Sequence, residues 1–146
     1  MTIAVDFDGT IVTDAYPQIG KEQPFAIDTL KMLINDHHRL VLWTVREGKQ
    51  LEEAVNWCRE RGVEFYAVNR DYPEEEQHNN NHFSRKLKVD VWLDDRSVGG
   101  LPDWGTIYQM ITYGKTWKDI IRERVNSNTS HVGGALPAPK KKWWQF

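Results

Sequence analysis

IAVDFDGTIV, residues 3–12, runs from an apolar stretch straight into Asp6, Asp8, Gly9 and Thr10. Ile3, Ala4, Val5 and Phe7 form a nearly continuous apolar run, the pattern of a central strand covered on both faces by helices. Along an extended strand, residues i and i+2 face the same side roughly 6 to 7 Å apart, so Asp6 and Asp8 are expected to flank one small group. Gly9 permits the tight turn that must follow, and Thr10 offers a hydroxyl and an N–H to an anion.

Working outward, the rest of the chain repeats a strand–helix alternation. Pro24 opens a helical stretch with Ala26, Ile27, Leu30, Leu33 and Ile34 on its apolar face. RLVLWT, residues 39–44, reads as a second strand. Residues 47–62 read as a helix, with Leu51, Ala54, Val55 and Cys58 at i, i+3, i+4 and i+7 and Gly62 placed to end it. EFYAVN, 64–69, is a third strand and VDVWL, 89–93, a fourth that runs into Asp94 and Asp95. Two helical segments follow, one around Ile107, Met110 and Ile111. The other begins near Thr116, with a capping box formed with Asp119 and an apolar face of Trp117, Ile120, Ile121 and Val125. Alternation of this kind predicts an α/β fold, a Rossmann-like three-layer sandwich with a mainly parallel sheet and ligand chemistry at the carboxyl ends of the strands. Asp6, Thr44, Asn69 and Asp94 all fall at or just past a strand end.

Composition fits one folded unit. The 146 residues are 40% hydrophobic and 27% charged, values of an ordinary globular chain. The net charge is −2, but the three lysines of 126–146 are set against no acid there, leaving 16 basic and 21 acidic groups in residues 1–125. That division predicts a core domain over 1–125 and a C-terminal tail over 126–146, Pro/Gly-rich and then Lys/Trp-rich, without a core of its own. Trp143, Trp144 and Phe146 are expected to pack on the protein's own body or a neighbouring chain, which leaves a homo-oligomer open. One lysine cluster offers few phosphate contacts, so nucleic acid is not the expected partner. No apolar run reaches membrane-spanning length, and the strand pattern begins without a basic region or cleavage-like site. With a single cysteine, Cys58, these features predict a cytoplasmic protein with no membrane partner.

A phosphoryl group fits between Asp6 and Asp8. Asp6 would attack phosphorus as a carboxylate nucleophile, while Asp8 would protonate the leaving oxygen and later activate water. Two carboxylates repel a dianion, so compensating positive charge is required. Asp94 and Asp95 at a neighbouring strand end supply a hard-oxygen site suited to Mg²⁺, with Asp6 and Asp94 as direct ligands and Asp95 acting through water. Lys86 precedes the fourth strand and is placed to neutralise both nucleophile and phosphate. Thr44, with Val45 and its N–H, is placed to hold another phosphate oxygen.

DFDGT, LWTVR, the lysine of SRKLKVD and VWLDDR stand in the order of the four motifs of the haloacid dehalogenase-like hydrolase superfamily, and the sequence resembles that superfamily over residues 1 to about 112. The resemblance implies a Rossmann-like phosphatase core with Asp6 as nucleophile, Asp8 as acid/base, and Thr44 and Lys86 as phosphate-binding groups. It also implies Mg²⁺ on Asp94 and the main-chain carbonyl of Asp8, and an acid at position 8 implies phosphoryl transfer rather than dehalogenation. Lys86, four residues before Asp90, matches the small capless members; Lys88 is the other candidate. About 34 residues separate Thr10 from Thr44 and about 42 separate Thr44 from Lys86, mostly core elements, so no large cap domain is expected. Loops 14–24 and 69–83 remain as partial covers.

Plainer readings stand beside these. Arg46 is either a substrate contact or the partner of an acid such as Glu47 or Asp95. Asn69 reads as a loop cap, His78 and His82 as part of a polar loop, and Trp43, Trp57, Trp92 and Trp104 as core or pocket wall. The expected function is a Mg²⁺-dependent phosphatase acting on a small-molecule or other phosphorylated substrate. The alternatives are a phosphoacceptor domain, whose family motif order differs, and a weakly catalytic binding module.

Overall fold

The computed structural model describes residues 1–75 and 86–127. It contains β1 (Thr2–Val5), α1 (Ala26–Asn35), β2 (Arg39–Leu42), α2 (Gly48–Glu60), β3 (Ala67–Val68), β4 (Val91–Leu93), α3 (Trp104–Tyr113) and α4 (Trp117–Ser127). The architecture is α/β and Rossmann-like: a four-stranded sheet flanked by helices, ordered β3-β2-β1-β4, with every pairing parallel. The chain divides into compact units at Leu101 and Pro102. The sheet, α1 and α2 belong to the first, and α3 and α4 to the second.

β1 lies in the middle because both of its faces are apolar. Ile3, Val5, Leu40 and Leu42 are buried, as is Phe7, which meets the Trp57 ring of α2 edge-on at 5.9 Å. Side chains alternate across a strand, so Ala4 and Val41 face the other way. There they join Ala67 and Leu87, with Trp43, Val89 and Trp92 packed against them. The Trp43 and Trp92 rings meet edge-to-face at 6.2 Å. Each fully enclosed aliphatic or aromatic side chain contributes about 1.5 to 3 kcal/mol.

The helices follow their apolar spacing. α1 buries Ala26, Ile27, Leu30 and Leu33, and α2 buries Ala54 and Cys58 before Gly62, at φ 83°, turns the chain. α3 starts at Asp103, whose carboxylate accepts the Thr106 N–H at 2.9 Å, a cap that the spacing did not single out. The Thr116–Asp119 capping box forms: the Thr116 N–H donates to Asp119 Oδ2 at 2.9 Å and the Asp119 N–H to Thr116 Oγ1 at 3.3 Å. The expected apolar face of α4 is not enclosed. Only Ile120 is buried, while Trp117, Ile121 and Val125 are exposed.

The strands are shorter than their composition predicts: β2 ends at Leu42 rather than Thr44, and β4 begins at Val91 rather than Val89. β3 keeps only Ala67 and Val68, starting three residues later than expected and ending one earlier, where Asn69 takes a left-handed conformation at φ 53° while its N–H still donates to the Leu42 carbonyl at 2.7 Å. β1 stops at Val5, because the Phe7 carbonyl accepts the N–H groups of Thr10, Ile11 and Val12 and closes a turn. Between Thr10 and Thr44 lie a loop, α1 and β2; between Thr44 and Lys86 lie α2, β3 and a segment whose residues 76–85, including His78 and His82, are outside the described residues. The basic aromatic tail, from residue 128 onward, is outside them too.

Candidate functional site

After β1 the chain builds the sheet to one side through β2 and β3, then crosses to the other side for β4. The crevice beyond the carboxyl ends of β1 and β4 is therefore a topological switch point, where open α/β sheets place their ligands. Asp6 follows β1 directly and its N–H donates to the Leu93 carbonyl at 2.9 Å. Asp94 and Asp95 follow β4. Asp6, Asp94 and Asp95 each offer one carboxylate oxygen, and these oxygens lie within 4.8 Å of one another.

The cluster is tightly built. Thr10 is buried, and its hydroxyl lies 3.4 Å from both Asp6 Oδ2 and Asp95 Oδ1 while accepting the Asp95 N–H at 3.0 Å. With one proton to give, that hydroxyl donates to one carboxylate at a time. Gly9 is required on two counts: its φ is 83°, and a Cβ there would collide with the Asp95 carboxylate. Asp94 Oδ1 accepts the Arg96 N–H at 2.8 Å, which fixes its side chain at the turn. Burial, then the nearby charges of Asp94, Asp95 and Asp8, push Asp6 up from its ordinary 3.8 to about 7, despite an opposing hydrogen bond from the Phe7 backbone. A partly enclosed carboxyl crowded by like charges gains by meeting a cation, and three carboxylate oxygens are a donor set that fits a hard divalent ion.

Asp8 lies close enough to Asp6 to raise its pKa, but its carboxylate is held by a different partner. β1 ends at Val5, ahead of both acids, and Asp8 forms an isolated parallel bridge with Val12. Asp8 meets Arg46, whose Nε donates to Oδ2 and Nη2 to Oδ1, both at 2.7 Å. Arg46 is fully buried, and its partner is Asp8 rather than Glu47 or Asp95. The Asp8 carboxylate raises the guanidinium pKa further. Thirty-eight positions separate the two residues, so local sequence gave no sign of this pair.

Thr44 and Val45 follow β2 at the carboxyl end of the sheet. The Thr44 N–H donates to Asn69 Oδ1 at 2.8 Å, so Asn69 caps a loop as its type suggests. Thr44 Oγ1 accepts the Arg46 N–H at 3.2 Å. Val45 is 78% exposed and its N–H has no hydrogen bond among the described residues. Lys86 is exposed beside the buried Leu87, and among the described residues no ion pair joins it to the aspartates; Lys88 is also exposed and donates its N–H to Asp71. Trp104 is buried and Trp43, Trp57 and Trp92 are half-buried. No helix among the described residues is long and apolar enough to cross a membrane.

Fold and site together define an α/β protein with a parallel sheet and an acidic, cation-suited crevice at its switch point. The solved structure of a conserved protein coded by a locus of Bacteroides thetaiotaomicron is similar: it is 64% identical, with a TM-score of 0.76 over 82% of this chain and 96% of that one. This chain belongs to the same family as that conserved Bacteroides protein. No family model and no curated protein matches it.

Proposed function

We infer that this protein is a Mg²⁺-dependent phosphatase of the haloacid dehalogenase-like type, cleaving phosphoric monoesters through a phospho-aspartate. The observation that carries the reading is the convergence of Asp6, Asp94 and Asp95 at the switch point, with carboxylate oxygens within 4.8 Å. The ordered motifs DFDGT, LWTVR, SRKLKVD and VWLDDR support it. Asp6, Asp94 and Asp95 would hold the cation, which when bound offsets the charge of both acids and phosphate.

The chain's own residues then divide the work. Asp6 Oδ forms a bond to phosphorus as the ester P–O bond breaks, and the leaving oxygen takes a proton from Asp8. Asp8 next removes a proton from water, which attacks phosphorus, frees Asp6 and releases inorganic phosphate. Thr44, the open N–H of Val45 and Lys86 would serve the phosphate oxygens.

Hydrolysis of p-nitrophenyl phosphate tests this. Activity is expected to require Mg²⁺, to vanish in Asp6→Asn and to fall in Asp8→Asn. Turnover at the wild-type rate in Asp6→Asn eliminates the covalent route. The engagement of Asp8 by Arg46 favours a second reading, a phosphoacceptor that forms phospho-aspartate and hydrolyses it slowly. A stoichiometric burst without steady turnover would select it.

A further inference from the structure

Among the described residues Arg46 heads the fully buried side chains in volume, and the use of its guanidinium is specific. Besides the two bonds to Asp8, Nη2 donates to the Gln18 carbonyl at 2.8 Å and Nη1 to the Pro17 carbonyl at 3.0 Å. Its Cζ lies 5.1 Å from the Phe7 ring centroid and 5.3 Å from that of Tyr16. The loop that carries Tyr16, Pro17 and Gln18 is closed at its base: the Thr13 N–H donates to the Lys21 carbonyl at 2.7 Å, the Lys21 N–H to Thr13 Oγ1 at 2.9 Å, and the Gln23 N–H to the Ile11 carbonyl at 2.8 Å. Between these ends, residues 14–19 make no hydrogen bond to the rest of the described chain except through Arg46. One buried cation thus holds the acid that follows Phe7 and the loop beside it.

We propose that Arg46 is a positioning residue that latches the 14–19 loop to the Asp8 carboxylate, so that the aim of Asp8 and the order of the loop are set together. A guanidinium is required for this because it offers a planar fork to the carboxylate and further N–H groups to the two carbonyls at once, which an ammonium cannot reproduce. The consequence for turnover rests on the phosphatase reading; the mechanical coupling does not.

Hydrogen exchange on the full-length chain tests the latch. Exchange of the Thr13 and Lys21 amides, at the loop base, is expected to accelerate about tenfold or more in Arg46→Met and in Asp8→Asn, and by less in Arg46→Lys. Leu33→Ala, which removes a buried side chain from α1, serves as a control for general destabilisation and is expected to leave the loop-base amides slower than in Arg46→Met. Wild-type exchange at these amides in either Arg46→Met or Asp8→Asn would overturn the coupling. So would equal acceleration in Leu33→Ala. With p-nitrophenyl phosphate, Arg46→Met is expected to lower kcat about tenfold with KM within about twofold, and Arg46→Lys to recover part of it. If the wild type hydrolyses no phosphate ester, the phosphatase reading fails while the exchange data still decide the latch.

Discussion

Replacing Asp6 with Asn is expected to stabilise the folded chain at alkaline pH while abolishing the chemistry proposed for it. Asp6 titrates near 7 in the folded chain against its ordinary 3.8. Between those values the folded state keeps a proton that the unfolded chain has released, so this group's contribution is greatest below about 4 and is lost as pH rises through about 7. At pH 8 the wild type must then hold a carboxylate beside Asp94 and Asp95. At about 1.4 kcal/mol per pH unit, the gap would be worth about 4 kcal/mol for a fully enclosed group; partial exposure of Asp6 reduces this to roughly 1 to 2 kcal/mol. Asn removes the charge and keeps the shape. In a chain of this size such a gain raises Tm by roughly 2 to 8 °C. Urea unfolding without divalent ions, followed by the fluorescence of the seven tryptophans, measures it. The gain in Asp6→Asn at pH 8 should shrink to under half at pH 5, and Mg²⁺ should narrow it at pH 8 by stabilising the wild type more. An Asn variant no more stable than the wild type at pH 8, or equally stabilised at both pH values, would refute the electrostatic account.

One further substitution and one labelling outcome follow. Gly9→Ala is expected to cost about 1 to 2 kcal/mol from its left-handed backbone, and to displace Asp95, weakening Mn²⁺ binding read by electron paramagnetic resonance; unchanged affinity would show that Asp95 does not hold the ion. Burial pushes the Cys58 thiol up to about 12, so it is expected to resist a thiol-reactive disulfide reagent in the native chain and to react promptly in denaturing urea. Prompt labelling of the native chain would contradict its enclosure in α2.

Local pattern alone was enough to place every strand and helix of the described chain, the α4 capping box and the end of α2 at Gly62, because apolar periodicity and turn chemistry are read over a few neighbouring residues. It also brought Asp6, Asp94 and Asp95 to strand ends. That these become neighbours was decided by the strand order β3-β2-β1-β4, which sets β4 beside β1. Where Asp8 points was likewise decided by tertiary structure. The Phe7 carbonyl closes a turn after β1, and a buried guanidinium 38 residues away captures the Asp8 carboxylate. A carboxylate takes the direction of the strongest charge that folding brings within reach, and separation along the chain carries no information about that distance.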